Sequence, residues 1–237
     1  MEVIPVIDLK RGEVVRARAG RRDEYQPLKP SSVPAEVVAG LLRLFPFRRC
    51  YAADLDAIER HGEHDAVLQT LAAVHKNLEF WVDNGIGDAA AAEAWLARGI
   101  GTLVLGSESQ AGTAILHALA GHPRVVLSLD FRDDAFLGPG AILEDPRLWP
   151  PRVIVMTLSR VGAGQGPDLD RLADIRRRAP GRRVYAAGGV RNAADLTALS
   201  GIGVAGALVA TALHSGAITA AELASFARPE GRARTPG

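Results

Sequence analysis

The sequence predicts an α/β protein, a single (β/α)8 barrel, and three observations carry that expectation. Eight short apolar runs alternate with stretches rich in Ala, Leu and charged residues. The runs are apolar almost throughout, as strands buried on both faces are. The length of 237 residues is close to the ~250 typical of this barrel.

The candidate strands are residues 3–7, 49–53, 79–82, 101–105, 125–129, 153–156, 183–187 and 206–209. Helical patterning lies between them, at residues 34–43, 66–75, 89–98, 169–179 and 193–200. An open doubly wound sheet is the alternative, but it usually has fewer strands. It would also favour a Gly-rich turn after the first strand. The chain instead reads Asp8-Leu9-Lys10-Arg11-Gly12, with no G-x-G-x-x-G. The expected domain is residues 1–227, with 228–237 as a flexible C-terminal tail.

The chain also repeats itself. Val6-Ile7-Asp8-Leu9 matches Ser128-Leu129-Asp130-Phe131, and Trp81-Val82-Asp83-Asn84-Gly85-Ile86 matches Tyr185-Ala186-Ala187-Gly188-Gly189-Val190. Leu103-Val104-Leu105-Gly106-Ser107 matches Ala207-Leu208-Val209-Ala210-Thr211, and Asp54 corresponds to Thr157. Two half-barrels follow, about residues 1–120 and 121–227, which would set Asp8 and Asp130 opposite each other across the mouth. Chance likeness between apolar strands is the competing explanation.

Composition narrows the function classes. A net charge of +1 gives no general attraction to nucleic acid or to an acidic membrane. No apolar stretch approaches a membrane span. The N-terminus lacks a basic-then-apolar signal pattern, so a cytoplasmic protein is expected. The single Cys50 excludes an intrachain disulfide and a Cys-based zinc cluster. Its apolar flanks suit a buried thiol better than a nucleophile.

Polar residues at strand C-termini point into the mouth of such a barrel. Asp8 and Asp130 each end an apolar strand. A buried carboxylate needs a partner or a task, and two opposed ones can divide proton removal from proton delivery. Each could instead cap the helix that follows. After the seventh and eighth strands stand Gly188, Gly189, Ala210 and Thr211, where small residues let backbone N–H groups approach an anion. The loops after these two strands are a recurrent phosphate site in this fold. Asn84, Gly85, Gly106 and Ser107 form a second candidate cradle in the first half, although Asp83 adds a negative charge beside it. The first loop carries Arg16, Arg18, Arg21 and Arg22. Guanidinium forks there suit closure over a phosphate, and Arg18 is taken as the substrate contact. His61 and His64 lack an evident third ligand, so no metal is expected.

Together these residues resemble the histidine-biosynthesis barrel family and, within it, the phosphoribosyl-formimino-AICAR-phosphate isomerases. The most specific part is Val3-Ile4-Pro5-Val6-Ile7-Asp8-Leu9-Lys10-Arg11-Gly12 with Val14-Val15-Arg16. Tyr51-Ala52-Ala53-Asp54-Leu55-Asp56-Ala57, Leu129-Asp130, Thr157 and Ala187-Gly188-Gly189-Val190 continue it. The resemblance implies an Amadori rearrangement of a phosphorylated aminoaldose to an aminoketose, without metal or organic cofactor. Asp8 would be the general base, Asp130 the general acid, Thr157 a hydrogen-bond partner of the substrate, and Asp54 a further substrate contact. The family's substrate carries a phosphate at each end.

The sequence departs from the family pattern in four places. After the sixth strand it reads Leu158-Ser159-Arg160, without the usual carboxylates. Asp83-Asn84-Gly85 replaces a Gly-Gly-Gly, and Ala210-Thr211 replaces Gly-Arg. Phe136-Leu137-Gly138 stands where the family has a Gly-Trp lid. Two further readings follow: a divergent paralogue acting on another phosphorylated metabolite, for example in cofactor biosynthesis, and a non-catalytic barrel that binds a phosphometabolite or a partner protein.

Overall fold

The computed structural model describes residues 1–227, and the expected tail at 228–237 lies outside the described residues. Eight strands form the barrel: β1 (Glu2–Lys10), β2 (Arg49–Asp54), β3 (Glu79–Asp83), β4 (Thr102–Gly106), β5 (Val125–Arg132), β6 (Arg152–Thr157), β7 (Arg183–Ala187) and β8 (Gly206–Val209). Each pairs in parallel with the next. The ring closes where β8 pairs with β1, from Glu2↔Gly206 to Pro5↔Val209. All eight expected strands are present, and closure removes the open-sheet alternative.

The helices around the barrel are α1 (Pro34–Leu44), α2 (Asp65–Val74), α3 (Ala89–Ala97), α4 (Ala114–Ala118), α5 (Gly140–Glu144), α6 (Leu169–Arg178), α7 (Ala193–Gly201) and α8 (Ala220–Phe226). The five expected from sequence are α1, α2, α3, α6 and α7, with boundary shifts of a residue or so; α4, α5 and α8 are additional. Side-chain caps start several of the helices. Asp88 accepts from Ala91 N–H, Asn192 from Asp195 N–H, and Thr219 forms a reciprocal capping box with Glu222. Such a cap typically contributes about 1 kcal/mol. No helix among the described residues is long and apolar enough to cross a membrane.

Strand alternation sorts the core into two layers. Ile4, Tyr51, Trp81, Val104, Ile154 and Tyr185 fill the barrel interior. Ile7, Cys50, Val82, Leu105, Leu127 and Val155 face the helices. Trp81 and Tyr185 meet edge-on inside the barrel, with ring centroids 4.9 Å apart. Such a pair adds roughly 0.5–1.5 kcal/mol beyond its area burial.

Two decorations shape the mouth. After β1 the chain reverses through Arg11 and Gly12, both at positive φ, and returns as the strand Glu13–Arg16. A two-residue hairpin turn of this kind needs that backbone, and Gly supplies it without a Cβ clash. The first loop then crosses the mouth: Ala19 N–H donates to Val161 O at 2.7 Å, in the loop after β6. On the other side, Ala135–Leu137 folds back antiparallel on β5, with Leu137 opposite Asp130.

Candidate active site

A cavity of about 270 Å³ lies at the C-terminal mouth, closed on one side by the first loop. Its walls include Asp8 from β1, Asp83 from β3, Asp130 from β5 and Met156 from β6. All four stand at interior positions of their strands, in step with Ile4, Trp81, Val126 and Ile154. Asp8 and Asp130 therefore reach the same cavity from opposite sides of the ring.

Their surroundings differ. No described residue hydrogen-bonds the Asp8 carboxylate. Burial lifts it to about 7, and the nearby Arg22 charge opposes that rise. Asp130 is 4% exposed. It accepts from Ser128 Oγ at 2.6 Å, Glu108 N–H at 3.2 Å and Ser107 Oγ at 3.3 Å. Burial and the neighbouring Asp83 carboxylate nevertheless raise it to about 8, despite those bonds. Asp83 itself is raised to about 6, mainly by burial and by Glu108, while Gly85 N–H and Tyr51 OH hold it at 3.2 Å each. Burial thus raises all three carboxyl groups of the cavity above the usual aspartate range.

Asp54 and Thr157 are not on the cavity wall. Asp54 follows Cys50 and Ala52 on the outward face of β2, since Tyr51 and Ala53 take the inward positions. It is fully buried and caps the turn Leu55–Ile58, accepting from Ala57 N–H. Its remaining capacity goes to His64, at 2.6 Å from the backbone N–H and 2.8 Å from Nδ1. His64 Nε2 accepts from Gly12 N–H at 2.8 Å, so this cluster braces the first hairpin. Thr157 shares the outward parity of Val153 and Val155 and is buried. The cavity position beside Asp130 belongs instead to its register partner, Met156.

Arg18 is likewise not on the cavity wall. Its side chain is 66% exposed and lies 3.7 Å from Glu24. Arg22 is the loop arginine that enters the cavity, where it pairs with Glu108. Lys10 Nζ pins the Arg22 carbonyl at 2.9 Å. Arg22 is one of the four loop arginines that the sequence offers, whereas nothing in the sequence points to Glu108. Which of four loop arginines turns inward depends on the hairpin and the short helical turn Arg22–Glu24.

The two anion cradles differ in form. Gly188, Gly189, Ala210 and Thr211 all line the cavity. Gly188 and Gly189 have φ of 98° and 88°, and a Cβ on Gly189 would collide with the Gly166 carbonyl. Small residues are thus required by the backbone path as well as by any ligand. The N–H groups of Gly189 and Val190 donate to no other backbone group among the described residues. Arg160 and Arg191 stand on the same wall, held by the Gly166 and Pro167 carbonyls and by Asp195 respectively. In the other half, Ser107 is fully buried and committed to Leu137 O at 2.7 Å and to Asp130. Gly106 packs between Asp83 and Asp130. Asn84 is buried, and its Oδ1 has no partner. Gly85 lines a separate recess, divided from the main cavity by the Arg22–Glu108 pair.

The histidine biosynthesis protein family matches the chain over residues 2–145 and 148–219. A relative from Sorangium cellulosum is 35% identical over 94% of this chain and 97% of its own length. It is named 1-(5-phosphoribosyl)-5-((5-phosphoribosylamino)methylideneamino) imidazole-4-carboxamide isomerase. A Symbiobacterium thermophilum protein of the same name is 30% identical over 95% of this chain and 96% of its own length. An uncharacterised protein of Methanocaldococcus jannaschii is 28% identical over 94% and 97% respectively. The barrel, the strand-end aspartates facing one cavity and the nearly full-length family match lead to one conclusion: this chain belongs to the histidine biosynthesis protein family.

Proposed function

We propose that this protein is an aldose–ketose isomerase that rearranges a phosphorylated aminoaldose to an aminoketose, as the names of its relatives suggest. The carrying observation is the unequal pair Asp8 and Asp130 on opposite walls of one cavity. An Amadori rearrangement needs a proton delivered to the ring oxygen as the sugar opens, and a proton removed from C2 of the resulting imine. Asp130, raised to about 8, is mostly protonated at neutral pH and suits the delivery. Asp8, raised to about 7 and free of hydrogen bonds, is substantially ionised there and suits the removal. Asp83 acts through Asp130: its charge keeps the acid protonated.

The phosphate is assigned to the wall formed by Gly188, Gly189, Ala210 and Thr211, where unpaired N–H groups and small side chains coincide. Arg160 and Arg191 add positive potential without having to leave their own partners. The first loop supplies Ala17 and Tyr25 as the roof, which keeps bulk water from the imine. Complementation of a strain lacking the histidine-pathway isomerase tests the activity. Rescue by the wild-type gene and failure by Asp8→Asn support the proposal. Failure of both, with soluble protein present, removes the histidine-pathway substrate.

One set of observations favours a divergent substrate within this chemistry. The first-half cradle is occupied by Asp83, a committed Ser107 and the Arg22–Glu108 pair, where the relatives' substrate name calls for a second phosphoribosyl group.

A further inference from the structure

Three residues, Arg22, Ile58 and Glu108, line both the main cavity and the recess beside it. The cavity is about 270 Å³ and the recess about 380 Å³. Common ligand pockets run from ~300 to ~1,000 Å³, so the cavity alone is undersized and the two joined would not be. What separates them decides how long a ligand the mouth can hold.

The partition is an ion pair between two distant parts of the chain. The Arg22 guanidinium comes from the first loop, and the Glu108 carboxylate from the turn Ser107–Ser109 after β4. Both ends are fastened behind the contact. Lys10 Nζ holds the Arg22 carbonyl at 2.9 Å and pairs with Glu59 at 3.1 Å. Glu108 N–H donates to Asp130 at 3.2 Å, and the preceding Ser107 donates to Leu137 O at 2.7 Å. Ile58 is tight against Gly85, where a Cβ would stand 2.8 Å from Ile58 Cα. The Arg22 and Glu108 side chains are mostly buried, so parting them leaves two poorly solvated charges in the wall. Arg60 also stands on the recess wall, so an open recess would not repel an anion. The pair restricts by bulk and position, not by the sign of its charge.

We propose that Arg22 and Glu108 are specificity-determining residues: their ion pair ends the cavity on the first-half side and excludes substrates whose far end reaches the recess. This rests on the isomerase reading and on the phosphate seat at Gly189 and Thr211 proposed above, which fixes the near end of the ligand. The substrate class is a phosphorylated aminoaldose with a short substituent on its nitrogen. A second phosphoribosyl group, as in the relatives' substrate name, would need the recess.

Aminoketose phosphates, the stable products of such a reaction, serve as probes when their nitrogen carries a methyl, a benzyl or a biphenylmethyl group. Titration calorimetry should show the wild type binding the methyl probe and discriminating against the rigid biphenylmethyl one. Arg22→Ala and Glu108→Ala should each tighten the biphenylmethyl probe about tenfold and leave the methyl probe nearly unchanged, because the competent open state no longer has to be populated by breaking the pair. Arg22→Lys, which keeps a cation on Glu108, should retain the wild-type discrimination. Crystals of Arg22→Ala with the longest probe should show density beyond Ile58, in the recess. Melting curves show which alanine variants are folded, and either one decides the point. A wild type that binds the longest probe as tightly as the shortest overturns the proposal. So does discrimination that persists in the alanine variants, and this outcome leaves the isomerase reading standing. Failure of all three probes to bind removes the phosphate seat and this inference with it, while complementation still decides the isomerase. A relieved length limit in a protein that fails complementation keeps the partition and removes the histidine-pathway substrate.

Discussion

Asp83 and Asp130 flank Gly106 so closely that a Cβ at that glycine would stand 3.1 Å from Asp83 Oδ2 and 3.3 Å from Asp130 Oδ2. Two carboxylates held this near in a buried wall cannot both ionise freely, and Asp130 carries the larger rise. The neighbour that raises Asp130 beyond the effect of burial is therefore Asp83, one strand further along the ring from β5 than Gly106.

Asp83→Asn should lower the pKa of Asp130, because it removes a charge that raises it. In a pH–rate profile the alkaline limb reports loss of the acid's proton, so that limb should move to lower pH. The acid limb, set by Asp8, should move less. An alkaline limb that stays in place would show that Asp83 does not tune Asp130.

Asp8→Asn and Asp130→Asn should each reduce turnover by about two to four orders of magnitude, the usual scale for a general acid or base. Substrate affinity should change less, because the amide keeps the shape of the carboxyl. Single-turnover kinetics with a separate binding measurement checks both halves of the statement. Near-normal turnover in either variant removes the paired-carboxylate mechanism.

The same aspartates should make stability depend on pH in an unusual direction. Their pKa values are raised from 3.8 to about 7 for Asp8 and about 8 for Asp130. Over that interval the folded protein holds protons that the unfolded chain has released. The stability these groups contribute is complete below the unfolded value and is lost as pH rises through the folded ones. Asp8→Asn should therefore raise Tm at about pH 9 and change it little at about pH 4. A Tm difference that does not vary with pH would contradict the burial assigned to Asp8.

Phosphate binding should be confined to the second-half wall. Crystals soaked in phosphate should show density near Gly189 and Thr211 before any near Gly85. Substitution of Gly189 is a poor test, because a side chain there collides with the Gly166 carbonyl whatever its charge. Thr211→Asp instead places a charge at a position with ordinary backbone freedom and should weaken phosphate binding about tenfold or more. Occupancy near Gly85 with the Gly189 side empty would reverse the assignment.

Much of the barrel was legible because buried parallel strands leave continuous apolar runs, and Asp8 and Asp130 interrupt theirs at the mouth end. Asp54 and Thr157 also stand at strand ends, and there alternation decides which way each faces. Tyr51 and Ala53 point inward, so Asp54 must point outward, and the same count moves Thr157 away from the cavity and brings Met156 in. That signal was present in the sequence. The choice of Arg22 over Arg18 was not, because it depends on a hairpin, a helical turn and a partner, Glu108, that lies 86 residues away in the chain. The role of Asp83 was half visible: its charge was noted as hostile to an anion, but its place beside Asp130 required the packing around Gly106.

The division of acid and base requires that one cavity hold two carboxyl groups whose protonation is split near neutral pH. Carboxyl-carbon NMR titration of the aspartates measures this without a substrate. The expected result is one resonance with a midpoint near 7 that is absent from Asp8→Asn, and one near 8 that is absent from Asp130→Asn. If both instead titrate near the ordinary aspartate value of 3.8, the two groups are equally ionised at neutral pH and the division of acid and base between them is wrong.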